Sequence, residues 1–165
     1  MSVAGKRIVL TGAAGGIGQA SARALAQAGA ALILVSRNGE VLINNAGVNH
    51  FGLFAEQTEA QWRQTLELNL MVPMLLVQGL LPVLQVRGGW VVNVGSAFGS
   101  IGFPGYAAYS ASKFGLRGLT EALRRELSGT GVTLHYLAPR ATATEMNAGP
   151  TAAMNAELGT AVDEP

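Results

Sequence analysis

The chain has 165 residues, of which 49% are hydrophobic and only 13% charged, with a formal net charge of +1 and no cysteine. That length suits one well-filled core and not two ordinary domains. The near-neutral balance gives no electrostatic case for nucleic acid or an anionic membrane as a partner, and the lack of cysteine excludes a disulfide framework, a thiolate nucleophile and a Cys-based zinc site.

The 22 glycines and the scarcity of charge suit buried parallel strands flanked by helices better than a solvated bundle. The start of the chain carries Lys6 and Arg7 ahead of an apolar run, but that run breaks into glycines within a few residues, as a strand entering a turn does. The apolar stretch from Leu70 to Leu84 contains Pro73 and Pro82, falls short of spanning length, and reads as a buried helix. Cytoplasm is the expected compartment.

In chain order, Arg7 to Leu10 reads as a short strand, followed by the turn Thr11-Gly12-Ala13-Ala14-Gly15-Gly16-Ile17-Gly18. Ile17, Ala20, Ala24, Leu25 and Ala28 then recur at helical spacing, and Gly29 is a natural stop. Ala31 to Val35 is a continuous apolar strand ending at Ser36-Arg37, which completes a βαβ unit. Val41 to Ile43 begins a third strand, closed by Asn44-Asn45-Ala46-Gly47. Thr58 with Gln61 three residues on marks a capping-box start for a long helix towards Leu84. Trp90 to Val94 is a strand ending at Gly95-Ser96, a helix runs from about Ala107 to Leu127, and Val132 to Leu137 is a last strand stopped by Pro139. This alternation predicts a single-domain α/β fold, a Rossmann-type doubly wound parallel sheet flanked by helices on both faces.

One joint does not fit. Only Arg37 to Glu40 separate the second strand from the third, whereas a parallel crossover needs about a dozen residues or more. Read literally, Asn38-Gly39 is a tight hairpin turn between antiparallel strands.

Gly12, Gly16 and Gly18 sit between a strand and a helix. Glycines there permit a tight turn and close approach of backbone to a pyrophosphate, and the helix N-terminus, at Ile17, offers free N–H groups to the phosphates. A glycine turn that only packs helix on strand reads the same way; a Walker-type loop is excluded because no Gly-Lys-Ser/Thr follows. At the end of the second strand, enzymes that bind NAD(H) place an acid against the ribose 2′-hydroxyl. Ser36 and Arg37 stand there instead. A guanidinium pairs with a 2′-phosphate that a carboxylate would repel, so NADP(H) is favoured over NAD(H), with a solvent-facing arginine as the alternative.

Tyr109 and Lys113 lie four apart in Tyr-Ser-Ala-Ser-Lys and share a helix face. A free phenol has a pKa of about 10, and a nearby ammonium favours the phenolate, which lets a tyrosine exchange protons with a carbonyl or carbinol oxygen. Such pairs also occur in helices with no chemical role. Ser96 ends a strand ahead of this helix and can hydrogen-bond the same oxygen. Asn69 precedes Pro73 by four residues, so its carbonyl meets a residue with no N–H, and the helix is expected to kink there with that carbonyl free. His50 and His135 are isolated and make no metal site.

The spacing Thr-Gly-x-x-x-Gly-x-Gly resembles the variant carried by the short-chain dehydrogenase/reductase family, and Asn44-Asn45-Ala46-Gly47 resembles that family's second motif. Ser96, Tyr109 and Lys113 resemble its catalytic triad in identity, order and spacing, across nearly everything from Lys6 to Thr144. The resemblance implies hydride transfer between a nicotinamide cofactor and a small carbonyl or secondary alcohol. Tyr109 would serve as acid/base, Lys113 would hold the ribose and lower the phenol's pKa, Ser96 would orient the oxygen, and Asn69 would anchor a relay water. It implies cofactor contacts at Gly12, Gly16, Ile17, Gly18, Asn45, Ala46 and Gly47. After the last strand the family has Pro-Gly and a threonine four positions on; Pro139 and Thr144 match and are expected near the nicotinamide amide or phosphates, while Arg140 departs from the pattern. The resemblance also implies a homodimer or homotetramer through the long helices. A helix and strand near 38–41 and a final helix and strand beyond Pro165 are expected but absent from the sequence, and Met146 to Glu164 reads as part of a loop over the substrate. A non-catalytic dinucleotide-binding regulator and an inactive fragment are the alternatives.

Overall fold

The computed structural model describes residues 7–11, 16–27, 31–32, 41–139, 148–149 and 151–153. In chain order these form β1 (Arg7–Leu10), α1 (Gly16–Gln27), β2 (Ala31–Leu32), β3 (Val41–Asn44), α2 (Glu59–Leu66), α3 (Val72–Arg87), β4 (Trp90–Val94), α4 (Ala107–Glu126) and β5 (Thr133–Leu137). The strands make one sheet in the order β2-β1-β3-β4-β5, and every pairing is parallel. β2 and β3 flank β1 on opposite sides, which rules out the hairpin between them. The strand order therefore reverses between β1 and β3, and the carboxyl ends of strands at such a switch point are where open α/β sheets bind ligands.

The core lies between the sheet and the helices α3 and α4. Leu42, Val77, Leu84, Val91, Leu127, Val132 and Leu134 form one buried cluster, with Leu76, Leu80, Leu81 and Leu123 packed against it. Side chains of this size each contribute roughly 1.5–3 kcal/mol when fully buried. A polar chain also crosses this core: Asn44 Nδ2 donates to Asn93 Oδ1 at 2.8 Å, and Asn93 Nδ2 donates to Thr120 Oγ1 at 2.8 Å. Asn44 and Asn93 are register partners, so their bond fixes β3 against β4 and α4.

The helix from Thr58 begins as its sequence predicts. Thr58 Oγ1 accepts from the Gln61 N–H while the Gln61 side chain accepts from the Thr58 N–H, a reciprocal capping box. Pro73 does not break the helix; the turn Glu67–Met71 widens to a π-helix, with Val72 N–H donating to the Glu67 carbonyl. A wide turn absorbs the missing proline donor without ending the helix.

Two expectations about this helix need correction. The stretch from Leu70 to Leu84 is not a buried helix: Pro73, Val77 and Leu84 are buried, but Met71, Met74 and Leu75 are exposed. Only one side can meet the sheet, so a largely apolar sequence leaves a largely apolar outer face. The stretch was also expected to fall short of spanning length, but it belongs to the long helix that the Thr58 capping box predicts, and Glu59–Val86, with 28 residues, is long and apolar enough to cross a membrane by length and composition. It packs through Val77 and Leu84 into the core described above.

Candidate active site

Thr11 ends β1 and joins the glycine turn to the end of β3. Its N–H donates to the Ile43 carbonyl at 2.9 Å, and its Oγ1 accepts from the N–H groups of Asn45 and Ala46 at 2.8 and 3.1 Å. Sequence reasoning passed over Thr11 as a site residue, although its place at the head of the glycine motif was a signal.

Four sequence-predicted residues meet beyond the carboxyl ends of β3 and β4. Asn69, in the π-turn, is 1% exposed. Its Oδ1 accepts from the Val48 N–H at 2.8 Å, and its Nδ2 donates to the Val48 carbonyl at 2.9 Å and to Ser112 Oγ at 3.1 Å. Asn69 thus fastens the loop after β3 to α4. Ser112, fully buried, was not foreseen; its own hydroxyl donates to the Tyr109 carbonyl at 2.7 Å.

Lys113 is 4% exposed, and its Nζ donates to the Val94 carbonyl at 2.9 Å. The same Nζ lies 5.6 Å from the centre of the Tyr109 ring. The Ser96 side chain is close enough to the Tyr109 phenol to lower its pKa, so serine, tyrosine and lysine come together in the fold. Ser96 Oγ also accepts from the Phe98 N–H at 3.2 Å, which fixes the serine at the head of a short 3-10 turn.

The electrostatics depart from expectation. Burial, partly offset by the Ser96 side chain and joined by smaller contributions from the neighbouring tyrosines Tyr136 and Tyr106, pushes the Tyr109 phenol up to about 12. Burial likewise pushes the Lys113 ammonium down to about 8. The ammonium was expected to favour the phenolate, but in the folded chain desolvation dominates both groups and favours their neutral forms.

Tyr136 is a further neighbour that sequence gave no means of finding. Its hydroxyl accepts from the Ser96 N–H at 3.3 Å and lies 3.4 Å from the Ser96 carbonyl and 3.5 Å from the Lys113 carbonyl. The ring enters because Gly95 and Gly99 leave room; a Cβ on either would lie 2.0 Å from Tyr136 atoms. His50 shares a 2.9 Å hydrogen bond with Gln64 Oε1, and His135 sits edge-on to Trp90.

A cavity of about 570 Å³ opens between α1 and the sheet, lined among others by Ile17, Asn45, Val94, Leu137 and Pro139; Asn69, Ser96, Tyr109 and Lys113 do not line it, and Val94, whose carbonyl accepts from Lys113, links them to the cavity. Its size is that of a cofactor or small-molecule site. It runs from the first turn of α1 to the ends of β3, β4 and β5. Gly47 instead packs against the buried side chains: a Cβ there would sit 3.2 Å from Asn69 Oδ1 and 3.7 Å from Lys113 Nζ. The space at the start of α1 and the carboxyl ends of the strands fits a nicotinamide dinucleotide in size and place. Gly16 and Gly18 lie in the first turn of α1. Gly12, Ser36, Arg37 and Thr144 lie outside the described residues.

A family model described as short chain dehydrogenase matches residues 40–155. The chain belongs to the short-chain dehydrogenase/reductase family. A 3-oxoacyl-[acyl-carrier-protein] reductase from Vibrio cholerae is 30% identical to it over 203 aligned positions, covering 98% of this chain and 82% of the relative. Ketoacyl reductase HetN from a Nostoc species is 33% identical, covering 84% of this chain and 64% of its own length. Among solved structures, a short-chain dehydrogenase from Streptomyces avermitilis superposes with a TM-score of 0.77 at 30% identity, over 86% of this chain and 68% of that one. A candidate NAD(P)-dependent gluconate 5-dehydrogenase from Beutenbergia cavernae, solved with NADP at low occupancy, superposes with a TM-score of 0.84 at 28% identity, over 96% and 79%. The chain is accordingly a short-chain oxidoreductase that acts between carbonyl and alcohol on a small molecule with a nicotinamide dinucleotide.

Proposed function

We propose that this protein reduces a ketone to a secondary alcohol, reversibly, with NADP(H) and with Tyr109 as the acid/base. The convergence of Ser96, Tyr109 and Lys113 at the carboxyl end of β4 carries this reading. The cofactor supplies a hydride from C4 of its nicotinamide ring, and the protein's part is to position and polarise. Ser96 Oγ holds the carbonyl oxygen. Tyr109, kept neutral by burial, donates the proton to that oxygen, which suits the reductive direction. Lys113, fixed on the Val94 carbonyl, holds the ribose and stands next to the phenol. Asn69 anchors the relay water through its backbone carbonyl, to which Pro73 offers no N–H. Gly12, Gly16, Ile17, Gly18, Asn45, Ala46, Gly47, Pro139 and Thr144 line the cofactor.

The preference for NADP(H) rests on Ser36 and Arg37, where an acid would be needed for NAD(H). Arg37→Asp should raise the KM for NADPH about tenfold or more relative to that for NADH; an unchanged ratio would remove arginine from the account. The exposed Leu66, Met71, Met74 and Leu75 of the long helix, with Phe114 on α4, support a homodimer or homotetramer in the cytoplasm. A segment missing near 38–41 belongs to the same proposal. Only residues 33–40 join strands on opposite sides of β1, and the alignment with the Vibrio reductase runs over 203 positions against 165 residues here.

Oxidation of NADPH, followed by absorbance with a simple ketone, tests the reading. Tyr109→Phe should lower kcat by about a hundredfold or more, the usual range for losing a general acid. A binding protein that only senses the nucleotide would bind NADPH and consume none.

A further inference from the structure

Tyr106, the N-cap of α4, is 4% exposed and stands at the centre of a ring cluster next to the candidate acid. Its ring centre lies 5.2 Å from Phe51, 4.7 Å from Phe98, 6.3 Å from Phe103 and 6.1 Å from Tyr109. Phe98 and Phe103 are stacked at 5.3 Å with an interplanar angle of 13°. Phe51 seats against Gly105, where a Cβ would lie 2.6 Å from its ring and where φ is +81°. The Gly52 N–H donates to the Gly105 carbonyl at 3.1 Å, which ties the two loops that carry these rings.

This wall has no charge. Residues 45–55 and 95–109, which include both loops and Tyr109, contain no Asp, Glu, Lys or Arg. The cations of α4 at this end are engaged: Lys113 on the Val94 carbonyl, and Arg117 on Glu121 and on Ser100 Oγ. A carboxylate or phosphate on the substrate would find no described partner here and would lose its hydration. The wall is nonetheless open to a ligand, since Phe51 is 39% exposed and Phe98 and Phe103 are only half-buried.

We infer that Phe51, Phe98, Phe103 and Tyr106 form the specificity wall for a neutral ketone, or its alcohol, that carries an aryl group next to the reacting carbon. The inference rests on the oxidoreductase reading above and names its substrate class. Ring packing in tilted and offset arrangements suits a further aromatic ring better than a hydroxylated chain. Phe98 follows Ser96 by two residues and Tyr106 precedes Tyr109 by three, so an oxygen held by Ser96 and Tyr109 leaves the group on the adjacent carbon within reach of the rings.

The test compares kcat/KM with NADPH for acetophenone, 2-butanone and 4-acetylbenzoate. Acetophenone should exceed each of the others about tenfold or more, the low end of what an apolar pocket discriminates. Phe51→Ser, at an exposed position, and Phe103→Leu, which keeps the apolar volume, should each reduce the acetophenone to 2-butanone ratio several-fold. In parallel, saturation-transfer NMR of 1-phenylethanol with the protein should show the phenyl protons in contact, with the signal weakened in both variants. If 2-butanone is reduced but acetophenone is not preferred, or if the variants lower both rates equally, the rings are packing only and the inference fails. Equal rates for 4-acetylbenzoate and acetophenone would also overturn it. If no ketone is reduced, the oxidoreductase reading fails, and the phenyl contacts of 1-phenylethanol still decide the ring wall: their presence in the wild type and loss in the variants supports it, their absence refutes it.

Discussion

Replacing Lys113 by methionine should abolish a rise in stability that the wild type shows between pH 8 and pH 10. Lys113 is 4% exposed, and burial lowers its pKa from the ordinary 10.5 to about 8. A group whose folded pKa is depressed contributes stability that is present above its unfolded value and lost as pH falls through its folded value. At roughly 1.4 kcal/mol per pKa unit, the full gap from 10.5 to about 8 corresponds to about 3 kcal/mol. Tyr109 acts in another window: with its pKa raised from 10.0 to about 12, its contribution is present below pH 10 and is lost only as pH rises through 12. The interval from pH 8 to 10 therefore isolates the lysine, over which the wild type should gain roughly 2–3 kcal/mol relative to Lys113→Met. Methionine retains the apolar stem and cannot be charged. Urea unfolding of both proteins without nucleotide, at half-unit pH steps and followed by tryptophan fluorescence, measures the difference. Parallel curves for the two proteins across this interval would refute the argument that burial governs Lys113.

Gly95→Ala should destabilise the fold by about 1–3 kcal/mol, because its Cβ would lie 2.0 Å from the Tyr136 ring. Adding Tyr136→Ala should recover part of that loss in a double-mutant cycle of urea midpoints; equal losses with and without the tyrosine would dismiss the clash. Asn69→Leu should cost about 2 kcal/mol or more, since the Val48 N–H and carbonyl both lose their side-chain partner. Asn69→Ser should leave the same loss, because serine is too short to reach both; an unaltered midpoint in either variant would contradict the geometry.

What was legible in the sequence was local. The capping box of Thr58 and Gln61 needs only a three-residue spacing, and β4 and its serine follow from an apolar run meeting Gly95-Ser96. The alignment of Tyr109 with Lys113 follows from helical periodicity. What was not legible depended on partners far apart in the chain. Tyr136 reaches Ser96 across 40 positions, and Asn69 reaches Ser112 across 43. Nothing at residue 136 in the sequence announces the space left by Gly95 and Gly99. The direction of the Tyr109 shift differs from the expectation for a related reason, since a charge four residues away is visible in sequence and the depth of burial is not. The same holds for the second half of the long helix, whose composition is largely apolar although only one side meets the sheet.

The most direct test of the account is transfer of deuterium from NADPH labelled at C4 of the nicotinamide to a ketone, read by mass spectrometry of the alcohol. Preparations labelled on each face of the ring are used in turn. The account predicts that one of them delivers deuterium to the carbinol carbon, and that Tyr109→Phe, folded and still binding NADPH, delivers almost none. Deuterium transfer undiminished in Tyr109→Phe, or none from a wild type that binds NADPH, would contradict it.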